Sequence, residues 1–131
     1  MEGQSRLAAV APAQAVGRRT LVVEDEPMTR RGLYQLLTRE GHEVRSATTA
    51  GEAIELLSWG PRCVLLDLQL RYGSGTEVLR CVRTERLPMR VAVVTAADDP
   101  RLLAEVQRLG PDAFFAKPAD LDRLLDWVAA A

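Results

Sequence analysis

Apolar and polar residues follow one another along this chain in two different rhythms. Short apolar runs bounded by turn or charged residues predict buried strands, and apolar residues spaced three or four positions apart predict amphipathic helices. From residue 20 onward these rhythms form five strand–helix units in strict alternation. The predicted strands cover residues 20–24, 42–47, 63–70, 91–94 and 114–116, and the predicted helices cover residues 28–39, 49–59, 76–86, 98–110 and 120–129.

This alternation predicts an α/β domain with a doubly wound, five-stranded parallel sheet, right-handed crossovers and helices on both faces. The first, third and fourth strands are almost entirely apolar, which is typical of central strands. The second strand alternates polar and apolar residues and the fifth is short, so both are expected at the edges. The predicted strand order is 2-1-3-4-5, which puts the topological switch point, where ligands bind in open α/β sheets, between the first and third strands.

Polar side chains stand at the carboxyl ends of four of these predicted strands. Asp67 is a single carboxylate within an apolar run, and a charge in a buried strand is costly unless a partner compensates it. Glu24 and Asp25 end the first strand, Thr95 ends the fourth, and Lys117 follows the fifth. Because parallel strands bring their carboxyl ends to one edge of a sheet, these groups are expected to meet around Asp67. Acids, a hydroxyl and an ammonium together predict a metal-assisted phosphoryl site.

Local signals at helix starts favour structural roles for several other polar residues. Thr49 and Glu52 have the spacing of a capping box. Asp98 and Asp99 precede a proline, which predicts an N-cap rather than a pair of metal ligands. His42, the only histidine, lies at the start of a predicted edge strand and is expected to be solvated.

Composition narrows the class of protein. A length of 131 residues, with 47% hydrophobic and 27% charged residues, fits one globular domain. A net charge of −1 gives no reason to expect a nucleic-acid or membrane-surface partner, and no apolar run approaches the roughly 20 residues of a membrane span. Cys63 and Cys81 are predicted to be buried free thiols of a cytoplasmic protein. Residues 1–19 show no convincing period and are predicted to be a flexible tail before a domain of residues 20–131.

Lys117 is the only lysine in the chain, whereas arginine occurs sixteen times. Genome composition explains the general bias toward arginine. The one exception indicates a position that needs a compact ammonium, because a lysine can enter a crowded phosphate site more easily than the wide fork of arginine.

Four segments together resemble the receiver domain of two-component response regulators, and the resemblance runs from about residue 20 to residue 129. They are Leu21–Pro27, Val64–Leu70, Val94–Ala96 and Phe114–Pro118. Each segment alone would be a weak signal, but their order and their positions at strand ends are specific. The resemblance implies a flavodoxin-like fold related to chemotaxis receivers. It also implies a cytoplasmic signalling protein that is not an enzyme, apart from assisting its own phosphorylation and dephosphorylation.

The resemblance also implies roles for the acidic residues. Asp67 is expected to be the phosphoacceptor, receiving a phosphoryl group from a histidine kinase or a histidine phosphotransfer protein. Glu24, Asp25, Asp67 and the backbone carbonyl of Gln69 are expected to hold Mg²⁺, which prefers oxygen ligands. Lys117 would pair with the phosphoryl oxygens, and Thr95 would donate a hydrogen bond to them.

A switch mechanism is implied by the same motif. Phe114 stands where the family has its switch aromatic, and its inward movement would follow that of Thr95. Phosphorylation would then alter a protein-interaction face formed by the fourth helix, the fifth strand and the fifth helix. The downstream protein target stays unknown, and phosphorylation-dependent dimerisation stays open.

Three residues depart from the common family pattern. Glu24 replaces the more frequent Asp, and its longer arm is expected to serve, through water. Arg71 stands where the family commonly has proline, so the loop after the third strand is expected to be more mobile. Phe114 lacks the hydroxyl of the tyrosine often found at its position, so burial alone would have to fix its inward state.

Competing functions are less well supported by the motifs. A haloacid-dehalogenase-type phosphatase needs a second Asp where this chain has Gln69, and the loop after the first strand lacks the glycine pattern of dinucleotide-binding domains. Two alternatives remain: a receiver fold that acts as a protein-binding module without phosphorylation, and a receiver fragment of a larger regulator. The main interpretation is a single-domain response regulator.

Overall fold

A computed structural model describes residues 18–131, so the predicted tail lies outside the described residues except for Arg18 and Arg19. The strands are β1 (Arg19–Val23), β2 (Glu43–Ala47), β3 (Cys63–Leu66), β4 (Arg90–Thr95) and β5 (Ala113–Ala116). The helices are α1 (Pro27–Arg39), α2 (Ala50–Leu56), α3 (Gly75–Thr84), α4 (Pro100–Leu109) and α5 (Leu121–Ala130), and a 3₁₀ turn at Leu57–Trp59 extends α2.

The sheet has five parallel strands in the order β2-β1-β3-β4-β5, which confirms the prediction from strand composition. The central strands β1, β3 and β4 are buried along almost their whole length. The edge strands β2 and β5 alternate between more and less exposed residues. β3 ends at Leu66, earlier than predicted, so Asp67 is the first residue of the loop that follows.

Two hydrophobic clusters cover the two faces of the sheet. Neighbouring residues of each strand point to opposite faces, so Val22 belongs to one cluster and Leu21 and Val23 to the other. The cluster with Leu21 includes buried side chains of α2, α3 and α4, namely Ala50, Ala53, Val78, Leu79, Val82 and Val106. The cluster with Val22 includes Leu33, Leu37, Leu124 and Val128 of α1 and α5. This arrangement is the predicted doubly wound fold.

The helix caps agree with the sequence signals only in part. Asp99 caps α4, as predicted, by accepting a hydrogen bond from the Arg101 amide. Thr49 accepts from the Glu52 amide at 3.0 Å, but the Glu52 carboxylate binds the amide of Thr48 and not that of Thr49, so the predicted capping box is half formed.

A complete capping box lies instead at the start of α3, where none was predicted. Ser74 caps the helix with its hydroxyl, and its own amide donates to Glu77 Oε2 at 3.0 Å. This cap fixes the end of the loop that begins at Asp67.

Both cysteines are free thiols; Cys63 is buried, as predicted, whereas Cys81 is only half-buried. Burial raises the pKa of Cys63. Within residues 18–131, no helix combines the length and the apolar character that crossing a membrane would require.

Candidate functional site

The carboxyl ends of β1, β3, β4 and β5 bring four of the predicted site residues together. In the sheet register, Val23 of β1 pairs with Leu66 of β3, and Thr95 of β4 pairs with Ala116 of β5. The residues that directly follow the ends of β1, β3 and β5 are Glu24, Asp67 and Lys117. Glu24 and Asp67 are only 3% and 6% exposed. Because buried carboxylates need compensation, the contacts of these two side chains define the site.

Asp67 is bonded through both of its carboxylate oxygens. Lys117 Nζ lies 2.9 Å from Oδ2, and Thr95 Oγ1 donates to Oδ1 at 2.8 Å. The Gln69 amide also donates to Oδ1, at 3.1 Å. These three contacts compensate the charge of the buried Asp67 carboxylate.

Lys117 links Asp67 to Glu24, whose Oε1 lies 2.6 Å from the ammonium. Burial raises the pKa of Glu24, although hydrogen bonds from Lys117 and from the Glu26 amide act in the opposite direction. Burial alone would lower the pKa of Lys117, but its bonds to Glu24 and Asp67 outweigh burial and raise it. The lysine therefore carries its proton at neutral pH and acts as the local cation.

Asp25 is held by a different partner. Its Oδ2 accepts a hydrogen bond of 2.6 Å from the backbone amide of Arg71, and its backbone carbonyl accepts one of 3.2 Å from Arg30. A proline at position 71 would have no N–H to donate. The arginine that departs from the family pattern thus makes a contact that opposes the extra loop mobility expected from the missing proline.

The backbone after Asp67 is packed too closely to accept a side chain at Gly75. A Cβ built there would lie 2.1 Å from the Asp67 carbonyl oxygen and 2.9 Å from Leu68 Cα. The Gly75 amide donates to the Leu68 carbonyl at 3.2 Å, and Gln69 and Ser74 form an isolated antiparallel bridge. This compact loop determines where Asp67 and Gln69 stand.

The donor set fits Mg²⁺ in chemistry and charge. Glu24, Asp25 and Asp67 offer carboxylate oxygens, and with Lys117 they leave two net negative charges for a divalent cation to balance. Within residues 18–131, no three acidic, histidine or cysteine side chains form a ready-made metal cage. Lys117 bonds two of the acids and the Arg71 amide bonds the third. Mg²⁺ keeps several waters and needs few direct protein ligands, so this arrangement is compatible with it.

Phe114 lies outside this group. It pairs with Val93 in the sheet register and is 45% exposed. Its ring lines a cavity of about 300 Å³ on the surface, together with Gln107, Gly110 and Pro111. Thr95 connects to the loop before α4, because the Ala97 amide donates to its hydroxyl at 3.2 Å. Thr95, for which a switch role was predicted together with Phe114, is buried, whereas the Phe114 side chain is exposed.

An apolar groove of about 580 Å³ adjoins the site on the side of α1 and α5. Lys117 and Thr29 line its polar part. Its apolar walls are Leu33, Val94, Ala96, Pro118, Ala119, Leu121 and Leu124. Leu121 is 51% exposed, so this surface presents hydrophobic area next to Lys117.

Sequence comparison gives this fold and site a family. Residues 20–129 match the response regulator receiver domain, and the chain belongs to that family. Sporulation initiation phosphotransferase F of Bacillus subtilis is 28% identical over 114 residues, which are 86% of this chain and 92% of that protein. The response regulator protein PilR of Pseudomonas aeruginosa is 34% identical over 115 residues, or 87% of this chain. The chain spans only 17–28% of the length of PilR and two further relatives.

Solved structures agree with this assignment. A CheY-like receiver domain protein from Methanospirillum hungatei has a TM-score of 0.80 and 29% identity, covering 86% of this chain and 91% of that chain. A response regulator from Burkholderia pseudomallei, solved with a phosphorylated aspartic acid, a calcium ion and citrate, has a TM-score of 0.74 and 26% identity, covering 82% and 64% of the two chains.

Proposed function

We propose that this chain is a phosphorylation-controlled protein switch in which Asp67 accepts a phosphoryl group from a histidine kinase or a histidine phosphotransfer protein. One observation carries the proposal. Asp67 is buried, and its two oxygens contact an ammonium and a hydroxyl, the two groups that the proposal transfers to the phosphoryl oxygens. The phosphorylated aspartate of the Burkholderia structure supports the same chemistry in a protein of this fold.

In the transfer, an oxygen of Asp67 forms a bond to phosphorus while the bond between phosphorus and the donor imidazole nitrogen breaks. The leaving imidazole keeps the electron pair of that bond. Lys117 would then pair with the phosphoryl oxygens, and Thr95 would donate its hydroxyl hydrogen to one of them. Chemistry of this kind makes the chain a phosphoacceptor that assists its own modification rather than an enzyme acting on other molecules.

Glu24, Asp25, Asp67 and the carbonyl of Gln69 are the groups that would hold Mg²⁺ here. When bound, the cation would offset the negative charge of the phosphoryl group and of the acids. The longer arm of Glu24 already reaches Lys117 at 2.6 Å, so the residue would restrain the lysine as well as the cation.

The apolar groove beside Lys117 supports a protein as the phosphoryl donor. A small donor molecule needs only the polar contacts around Asp67, whereas a helix that carries a phosphohistidine must cover surface next to them. The exposed side chain of Leu121 and the walls formed by α1 and α5 offer such a surface. Free thiols at Cys63 and Cys81 fit the reducing cytoplasm in which the proposal places the exchange.

Output would pass through Thr95 to the α4–β5–α5 face. A move of Thr95 toward the phosphoryl group would pull on the Ala97 amide and free space for Phe114, whose exposed ring would become buried. A downstream protein, or a second copy of the chain, would read this change. The longer relatives keep open the alternative that the chain is the receiver part of a larger regulator.

Phosphoramidate labelling tests the proposal directly. Three proteins are incubated with and without Mg²⁺: wild type, Asp67→Asn and the control Asp98→Asn. The control removes an exposed acid at the start of α4. The mass of each intact protein is then measured by mass spectrometry. We expect a Mg²⁺-dependent gain of one phosphoryl group in wild type and Asp98→Asn, and none in Asp67→Asn. A folded wild type that gains no phosphoryl group would contradict the proposal and favour the constitutive protein-binding module.

A further inference from the structure

The amide of Arg71 and the carboxylate of Asp25 are 46 residues apart in the chain and 2.6 Å apart in space. From this contact we infer that the Arg71 amide is a positioning group, which orients Asp25 for the cation that assists phosphorylation of Asp67. The inference rests on the proposed function and assigns a new role within that site. It concerns the backbone of Arg71 and not its exposed guanidinium.

Asp25 needs such a partner because of the charges around it. Three carboxylates stand at the same edge of the sheet, and like charges repel one another there. Lys117 bonds Glu24 at 2.6 Å and Asp67 at 2.9 Å, which compensates those two acids. The Arg71 amide provides the hydrogen bond to the third, and a bond from an amide to a charged carboxylate is stronger than one between neutral groups.

The loop that carries this amide is fixed on its far side by α2. The Tyr72 carbonyl accepts a hydrogen bond of 3.2 Å from the Ala50 amide, at the first residue of α2. Gly73 has a φ of +79° and approaches α2 so closely that a Cβ there would lie 2.7 Å from Ala50 Cβ. The capping box of Ser74 and Glu77 then fixes the start of α3. Arg71 thus donates from a constrained backbone.

A fixed donor restricts the orientation of the Asp25 carboxylate. Because Oδ2 accepts the hydrogen bond from the amide, the carboxylate of Asp25 is held in one orientation toward a cation. Mg²⁺ requires nearly ideal octahedral geometry, so a ligand already in place saves the cost of ordering it on binding. Partners that hydrogen-bond to metal ligands typically contribute 10- to 100-fold to metal affinity. We therefore expect this single amide to raise the affinity for Mg²⁺ about tenfold.

Two substitutions at one position isolate the backbone group. Arg71→Ala removes the guanidinium and keeps the N–H, whereas Arg71→Pro removes both. Mg²⁺ is titrated into each ¹⁵N-labelled protein, and the dissociation constant is taken from the amide shifts around Asp67. Arg71→Pro is expected to bind Mg²⁺ about tenfold more weakly than Arg71→Ala. Circular dichroism and thermal unfolding in EDTA show whether both variants are folded.

A second measurement needs no change at position 71. In EDTA, the Arg71 amide proton of wild type is expected to resonate far downfield and to exchange slowly. In Asp25→Ala it is expected to move upfield and to exchange at least several-fold faster, because the acceptor is gone. This result would support the contact even if Arg71→Pro did not fold, and an Arg71 amide that Asp25→Ala leaves unchanged would overturn the inference.

The outcomes separate this inference from the proposed function. Equal or tighter Mg²⁺ binding by a folded Arg71→Pro, compared with Arg71→Ala, overturns the role of the amide and leaves phosphorylation of Asp67 untouched. A wild type that binds no Mg²⁺ overturns the role of the amide together with the cation-assisted mechanism. Phosphoramidate labelling of Asp67 reports on the proposed function separately from both results.

Discussion

The hydroxyl of Thr95 donates to Asp67 Oδ1 at 2.8 Å and accepts from the Ala97 amide at 3.2 Å. One hydroxyl therefore joins the Asp67 carboxylate to the loop that enters α4. It has a single hydrogen, so it cannot donate to Asp67 and to a phosphoryl oxygen at the same time. Under the proposed function, the exchange of one acceptor for the other is the first event of the switch.

Replacing Thr95 with valine keeps the shape of the side chain and removes this hydroxyl. Thr95 is 1% exposed and Ala97 is 9% exposed, so the Ala97 amide would lose its acceptor in a buried place. We expect Thr95→Val to lower the free energy of unfolding by about 1–3 kcal/mol in urea denaturation. Thr95→Ser keeps the hydroxyl and loses one methyl group, so it should cost only about 0.8 kcal/mol. A valine variant more stable than the serine variant would contradict the linking role of the hydroxyl.

Arg83 and Asp112 join the end of α3 to the turn between α4 and β5. Nη2 of Arg83 lies 3.0 Å from Asp112 Oδ2 and 2.7 Å from the Gly110 carbonyl oxygen, and the Val91 amide donates to Asp112 at 2.7 Å. Burial alone would raise the pKa of Asp112, but the bonds from Val91 and Arg83 outweigh it and lower that pKa. The ionised form of Asp112 therefore stabilises the fold.

The pH dependence of stability follows from the lowered pKa of Asp112. The contribution of Asp112 is present at neutral pH and is lost as the pH falls below the ordinary value of 3.8 and through the lower folded-state value. At pH 7, the free energy of unfolding of Asp112→Asn is expected to be about 1–2 kcal/mol lower than that of wild type. In urea denaturation the difference should narrow below about pH 4.

The ion pair of Arg80 and Glu105 supplies the control, because it also joins α3 to α4. Its side chains are 48% and 39% exposed, so Glu105→Gln is expected to change stability by less than about 1 kcal/mol. A difference between Asp112→Asn and wild type that stays constant down to pH 3 would show that the charge of Asp112 is not the cause.

The same substitution is expected to act in opposite directions at two glycines. Gly75→Ala would place a methyl group against the backbone of Asp67 and Leu68, which cannot move aside without displacing the Asp67 side chain. We expect a loss of about 1–3 kcal/mol in stability, with slower phosphorylation of Asp67. Gly51→Ala, in α2 with nothing beyond its chain neighbours and its own helix backbone within 4 Å of the added Cβ, should stabilise the chain by about 0.5–1 kcal/mol. Equal stability of Gly75→Ala and wild type would refute the close packing.

The fold was predictable because neighbouring elements differ in pattern. The uninterrupted apolar residues of β3 and the alternation in β2 distinguish a central strand from an edge strand, and that difference determines the strand order. The caps were harder to predict, because a capping box needs geometry as well as spacing. The Glu52 carboxylate accepts from the Thr48 amide, although the Thr49 amide was the expected donor. A complete capping box forms instead at Ser74.

The clustering of side chains in the candidate site was predictable from the sequence, but the hydrogen bonds from backbone amides were not. Asp67, Thr95 and Lys117 stand at strand ends, where parallel topology brings them together. The bond from Arg71 to Asp25 left no such signal, because an amide is common to almost every residue and the loop that presents it depends on tertiary contacts. The outward position of Phe114 likewise depends on packing that the local sequence does not encode.

The compact cation of the site is also the only side-chain amine of the chain. A reagent specific for primary amines thus has one side-chain target here, and acylation at that nitrogen would cancel the charge that Glu24 and Asp67 share. The rate of this labelling would report how tightly the two carboxylates hold Lys117. Amine labelling of the purified protein, measured by its mass, could in this way follow changes around Lys117 without a radioactive phosphate or an antibody.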